Sequence, residues 1–396
     1  MEQDWTRVEG MIIGRELDPA TVAEELRERA ILAQLEWFPA SPQLLGMNVA
    51  VHDDNVALVR DGAVETGPAL ADLAEELALL FDAEVRVGSS SADHLPEGES
   101  PLVDSWEDDD DLSADEGSRI VEIGRTPASS VPLLAALEGI DLADIELADE
   151  HRALLAQLPP EKAGWNFGEL PLVTLSRSEG EFQALLVTDD HLEHIVTHNW
   201  GMESLLVPGA HDDAADLADE IIDLVGDRPE LRAIAAGVPG ANADALIASA
   251  SARGDDAVWK VVTALGLPSG VAGFLLGSLD ADEVEGAQTH AARGISNAIG
   301  RSVDIMLSEP DSPAQPLWNS YQSIAIEKPW MIQAFATAEA MIGASLIALA
   351  VSADKPRSGW VKLGGVFGVL ALIDSIAELS LSRYVRNRHE RHNRGA

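Results

Sequence analysis

The sequence predicts an α+β fold: two small strand-helix regions, then a helical segment, then a C-terminal transmembrane helical hairpin. Three observations carry this expectation. Short β-branched runs alternate with amphipathic stretches as far as residue 227, proline-punctuated helical periodicity fills 228–310, and two apolar runs of 21 residues each occupy 331–351 and 361–381.

The first region, 1–88, opens with Asp18 before Pro19, a capping side chain followed by a residue whose missing N–H costs nothing at a helix start. Val22, Leu26, Ala30, Ala33 and Trp37 then recur at intervals of three and four, which extends the predicted helix to about Pro39. Asn48 to Val51 and Val56 to Val59 read as strands around the turn-forming cluster His52, Asp53, Asp54 and Asn55. A helix from Pro68 to about Asp82 follows, with Leu70, Leu73, Leu77 and Leu80 inward, and Glu84 to Val87 reads as a strand. Residues 89–118 are rich in serine, proline and acid, including the run Glu107 to Asp111, and predict an acidic disordered linker. No window in it has the spacing of an EF-hand loop, which argues against calcium.

The second α+β region, 119–227, has predicted strands near Ile120 to Ile123, Leu172 to Leu175, Phe182 to Val187 and His191 to Thr197, and a helix from Asp212 to Val225. Ala71 to Glu76 resembles Ala215 to Glu220, and an Asp–Asp turn precedes each, so the two regions are candidates for a duplication. The helical region 228–310 is divided by Pro229, Pro239 and Pro268, and its last piece carries Val284, Ala287, Ala291, Ile295, Ile299 and Val303. Val258 to Leu279 is strongly apolar, but Lys260 and the sequence Leu267-Pro268-Ser269-Gly270 make it a helix–turn–helix of the core.

After a connector at 311–330 comes the hairpin, 331–382. Each run is about 30 Å long as a helix, the hydrocarbon thickness of a bilayer. Trp330, Trp360 and Tyr384 stand at three of its four boundaries, as interfacial aromatics do. The tail at 383–396 carries Arg383, Arg386, Arg388, Arg391 and Arg394, against Lys355, Arg357 and Lys362 at the connection, so the positive-inside rule places body and C-terminus on the cytoplasmic side of the cell membrane. Glu339 and Asp374 fall at nearly the same depth and predict an intramembrane polar pair, while Ala336, Ala340, Gly343 and Ala344 opposite Gly364, Gly365 and Gly368 favour close helix approach or a homo-oligomer. The acids Glu339, Asp374 and Glu378 also support the alternative, a buried soluble hairpin.

Charge and composition narrow the function. With 68 acids against 26 bases the net charge is −42, which excludes a general nucleic-acid binder. The 71 residues after Ala325 hold 6 acids and 9 bases, so the charge belongs to the body. The absence of cysteine excludes disulfides, thiolate metal sites and thiol nucleophiles. The segment MEQDWTRVEG lacks the basic n-region of a signal peptide. No phosphate loop, dinucleotide fingerprint, nucleophile elbow or zincin helix occurs, so no cofactor is expected. His191, His194 and His198 would share one face of a helix, but the β-branched Ile195, Val196 and Thr197 favour a strand, which separates them too far for one metal. The leading expectation is a membrane-anchored, cytoplasm-facing, non-enzymatic acidic protein that binds another protein. A soluble interaction or chaperone-like protein is the first alternative. A metal-dependent hydrolase using His194 or His198 is the second.

Overall fold

The computed structural model describes residues 4–308 apart from 16, 42, 97–116, 161, 163–168, 179, 189–194, 212–213 and 293. The described residues divide into two compact units, one of those up to 124 with 158–162 and 170–280, the other of 125–157 with 169 and 281–308.

The first unit is built on an eight-stranded antiparallel sheet. Its strands are β1 (Thr6–Ile13), β2 (Leu32–Trp37), β3 (Leu44–His52), β4 (Asn55–Arg60), β5 (Ala63–Ala69), β6 (Glu84–Val87), β7 (Ser90–Asp93) and β14 (Glu203–Pro208). The path runs β14-β2-β3-β1-β6-β7, with β4 paired to β3 and β5 to β4. Helices α1 (Pro19–Glu28) and α2 (Leu70–Phe81) cover one face. Successive strand residues point to opposite faces, so Ile12, Leu35, Met47 and Val49 meet Val22, Leu26, Leu73 and Leu77 in one core. Asp18 caps α1 as expected, its carboxylate accepting from the backbone N–H groups of Ala20 and Thr21 at 3.3 and 3.2 Å. The β3–β4 turn places Asp53 and Asp54 at φ 47° and 60°, a conformation acidic and amide side chains tolerate better than most.

The same unit carries β8 (Arg119–Arg125), β11 (Glu169–Ser178), β12 (Glu181–Val187) and β13 (Ile195–Asn199), adjacent in that order, and helices α4 (Asp219–Ile222), α5 (Arg228–Ala236), α6 (Ala243–Ala248), α7 (Gly254–Ala264) and α8 (Ser269–Leu275). Trp200, just past β13, is almost fully buried; it stacks on Phe182 at 5.1 Å, and its indole N–H donates to the Ser249 carbonyl at 3.0 Å. In the second unit, α3 (Val131–Glu138) and α9 (Ile295–Ser308) accompany the antiparallel strands β9 (Leu142–Glu146), β10 (Arg152–Gln157) and β15 (Gln288–His290), with β9 between the other two.

One plan occurs twice. A strand, a helix and an antiparallel strand pair appear as β1-α1-β2-β3 and again as β8-α3-β9-β10. A strand from much later in the chain joins the outer side of the pair, β14 on β2 and β15 on β9. β6 and β7 follow beside β1 as β11 and β12 do beside β8. Shifting the sequence by 110 positions aligns residues 13–36 with 123–146 without a gap, and seven of the 24 pairs are identical, among them Ile13-Gly14-Arg15 with Ile123-Gly124-Arg125 and Glu36 with Glu146. The repeat therefore differs from the one expected between Ala71 to Glu76 and Ala215 to Glu220. The latter segment forms a 3-10 turn, Ala214–Asp216, and the start of the one-turn α4 rather than a long helix.

Several other expectations are corrected. The first helix stops at Glu28, Ala30 turns the chain at φ 59°, and residues 32–37 form β2. This strand is central and buried on both faces, so its apolar residues, spaced by chance at three and four, continued the helical pattern. Residues 90–93, placed in the linker, pair with β6, while 97–116 lie outside the described residues. Pro229 starts α5 instead of breaking a helix, residues 288–290 are a strand, and the last helical piece begins only at Ile295. The helix–turn–helix at 258–279 is present as α7 and α8, with Val258, Val261, Val271 and Phe274 buried.

The fold class itself changes from α+β with a transmembrane hairpin to α+β with two sheets of antiparallel strands. Among the described residues no helix is long and apolar enough to cross a membrane. The longest, α9, has 14 residues and spans about 21 Å, short of a bilayer's hydrocarbon core. The runs 331–351 and 361–381, with the connector and basic tail, lie outside the described residues.

Candidate functional site

Strand alternation that sends Ile12, Leu35 and Met47 into the core sends polar residues to the other face of the same three strands. Arg7 and Glu9 on β1, Gln34 and Glu36 on β2, and Gly46 and Asn48 on β3 share that face. The register sets Glu9 opposite Asn48 and Asn48 opposite Gln34; in the next row Glu36 stands between Gly46 and Ser204 of β14. Gln34 and Asn48 are each only 4% exposed, unusual burial for amides in a central sheet. Gly46 keeps the row open, since a Cβ there would lie 3.3 Å from the Glu36 carbonyl oxygen.

Facing these strands are His198 on β13, Asp227 and Glu230 at the start of α5, and Arg253 just before α7. Together they enclose a cleft of about 350 Å³. Asp227 precedes α5 where a capping residue sits, yet its side chain makes no cap hydrogen bond. It accepts from Gln34 Nε2 instead, and the same Nε2 donates to Glu36 Oε1 at 2.7 Å. One amide thus holds two carboxylates side by side. Arg7 pairs with Glu230 and donates to the Gly226 carbonyl. Arg253 donates to the carbonyls of Ala250 and Ala252 at 2.9 and 2.7 Å. Both guanidinium groups are therefore engaged, and among the described residues neither Glu36 nor Asp227 has a salt bridge.

The electrostatics follow from burial. Desolvation pushes the Glu36 carboxyl up to about 7, helped by the negative charge of Asp227 and opposed by the Gln34 N–H and Arg7. Burial also raises Glu230, with Arg7 opposing. His198 is lowered, again by burial first, with Asp227 pulling the other way. Its ring packs edge-on against Trp200 at 4.5 Å. Arg7 Nε, His198 Nε2 and Glu230 Oε2 are buried without a hydrogen-bond partner among the described residues.

Of the residues singled out by sequence, only His198 belongs to this cleft. It lies on a strand, as its β-branched neighbours predict, while His191 and His194 fall outside the described residues. Among the described residues no group of three His, Asp or Glu side chains is placed to hold a metal ion. Glu339, Asp374, Trp330, Trp360, Tyr384, Arg383, Arg386 and Arg388 all lie outside the described residues. Arg7, Gln34, Glu36, Asp227, Glu230 and Arg253 were missed. The signal for them is a pair of polar residues two apart inside an apolar strand, Arg7 with Glu9 and Gln34 with Glu36.

Fold and site together define a two-unit antiparallel α+β protein with a charged cleft against the polar face of one sheet. No protein-family model, curated protein or solved structure matches the chain.

Proposed function

We propose that the protein is a non-catalytic acidic recognition module that binds a basic segment of another protein and seats one cationic side chain in the cleft. The observation that carries this reading is the composition of the cleft wall: Glu9, Glu36, Asp227 and Glu230 against Arg7 and Arg253. Both cations are already engaged, so the surplus charge is negative. Its volume of about 350 Å³ suits one long side chain or a small ligand. A net charge of −42 supplies long-range attraction for a basic partner, and the cleft supplies the short-range contact.

The general field and the specific site separate by salt. At 0.15 M ionic strength the screening length is about 8 Å, so attraction to the surface at large weakens while contacts inside the cleft persist. Fluorescence anisotropy of a labelled basic octapeptide in that buffer is expected to show saturable binding. Combining Glu36→Gln with Asp227→Asn is expected to weaken it by about tenfold or more, equivalent to about 1.4 kcal/mol. Binding that the double variant leaves unchanged would place the contact elsewhere and defeat the reading.

A further inference from the structure

Resting on that reading, we infer that the cleft selects arginine over lysine and that the entering guanidinium displaces a proton held between Glu36 and Asp227. The geometry is that of two carboxylates fixed on a common donor, Gln34 Nε2. A guanidinium presents parallel N–H groups in a rigid plane and can span two neighbouring carboxylates, whereas an ammonium is a compact, strongly hydrated point donor. The cleft also has apolar wall from Ile195, Val196 and Met202 for the methylene stem.

The charge balance is simple. Before binding, below about pH 7, the Glu36–Asp227 pair holds one proton and carries one negative charge. A guanidinium entering with its own positive charge leaves the pair doubly ionised, and the proton goes to solvent. Pair and ligand together keep the net charge the pair had alone. The groups facing Glu36 are Arg7 and Glu9 from β1, Asp227 and Glu230 from the start of α5, His198 from β13 and Arg253 ahead of α7. The high pKa of Glu36, about 7, means the proton is present to be released near neutrality. Affinity for an arginine side chain then rises with pH through that range.

The full-length protein titrated calorimetrically with two octapeptides, identical except that one has arginine where the other has lysine, tests this at pH 6.5 in phosphate and in imidazole buffers. The arginine peptide is expected to bind about tenfold more tightly. The difference in enthalpy between buffers should correspond to release of between about half and one proton. Glu36→Gln, which keeps the shape of the protonated carboxyl, is expected to abolish that release, with Asp227→Asn as a parallel variant. Equal affinities for the two peptides, or a binding enthalpy that does not depend on buffer, overturns the inference while leaving the recognition reading intact. Failure of both peptides to bind overturns the two together.

Discussion

Glu36→Gln is expected to stabilise the protein at pH 8 by about 3 kcal/mol and to leave it unchanged near pH 4. The folded-state pKa of Glu36 is about 7 against an ordinary 4.5, so the folded chain holds this proton more tightly than the unfolded chain does. Stability from this group is fully present below about pH 4.5 and is lost as pH rises through about 7. Above that, an ionised carboxylate stands buried beside Asp227. The gap between the two values corresponds to about 3 kcal/mol at one proton. Glutamine carries no such cost, since its carbonyl can still accept from Gln34 and its amide can donate toward Asp227. Thermal midpoints measured from pH 4 to 8 check it: the variant's curve should lie several degrees above wild type at the alkaline end and converge with it in acid. A variant midpoint at or below wild type at pH 8 would show that Glu36 is not held protonated. His198 contributes with the opposite slope. Its pKa is depressed, so its contribution is lost as pH falls through the ordinary histidine range near 6.5.

Asp144→Ala is expected to cost about 3–5 kcal/mol, seen as a fall of roughly 10 °C in the thermal midpoint of the second unit. Asp144 is 2% exposed on β9, and its two oxygens serve different partners. Oδ1 lies 2.6 Å from His290 Nε2 on β15, and Oδ2 pairs with Arg152 on β10. Alanine would take the carboxylate from the Arg152 guanidinium, which keeps the Thr126 carbonyl, and leave the His290 Nε2 without its partner in an interior that admits little water. The loss is larger than the net worth of the pairs, because uncompensated buried groups carry the desolvation penalty. Asp144→Asn, which keeps the shape and one acceptor, should fall between. Equal midpoints for Asp144→Ala and wild type would mean that the cluster is hydrated and contributes little.

How legible this was from sequence depended on which face each residue served. The strands at 119–125, 169–178 and 181–187, the Asp53–Asp54 turn and the cap at Asp18 were legible, because β-branched alternation and turn chemistry are local signals. β2 was not. Leu32, Ala33, Gln34 and Leu35 are all buried, so the polar–apolar rhythm that marks a half-exposed strand is missing, and Ala30 makes the left-handed turn usually signalled by glycine. That single misreading concealed Gln34 and Glu36, and with them the cleft. Asp227 was hidden for a different reason. The sequence Asp227-Arg228-Pro229 reads as a helix start, and only the fold shows that the carboxylate is turned away from the helix toward β2. β9 and β10 escaped because each is only five or six residues long and buried along most of its length, so no alternation marks it.

The repeated plan has a consequence at one position. Gln34 and Asp144 are each the third residue of the second strand, and each pairs across to the late-joining strand, with Leu206 and Gln288 respectively. In one copy a neutral donor gathers two acids, and in the other an acid gathers two bases. The chain thus carries the same socket in two chemical polarities, and each is the natural control for the other. Exchanging the side chains, glutamine at 144 and aspartate at 34, would ask whether the backbone or the occupant decides what is held there.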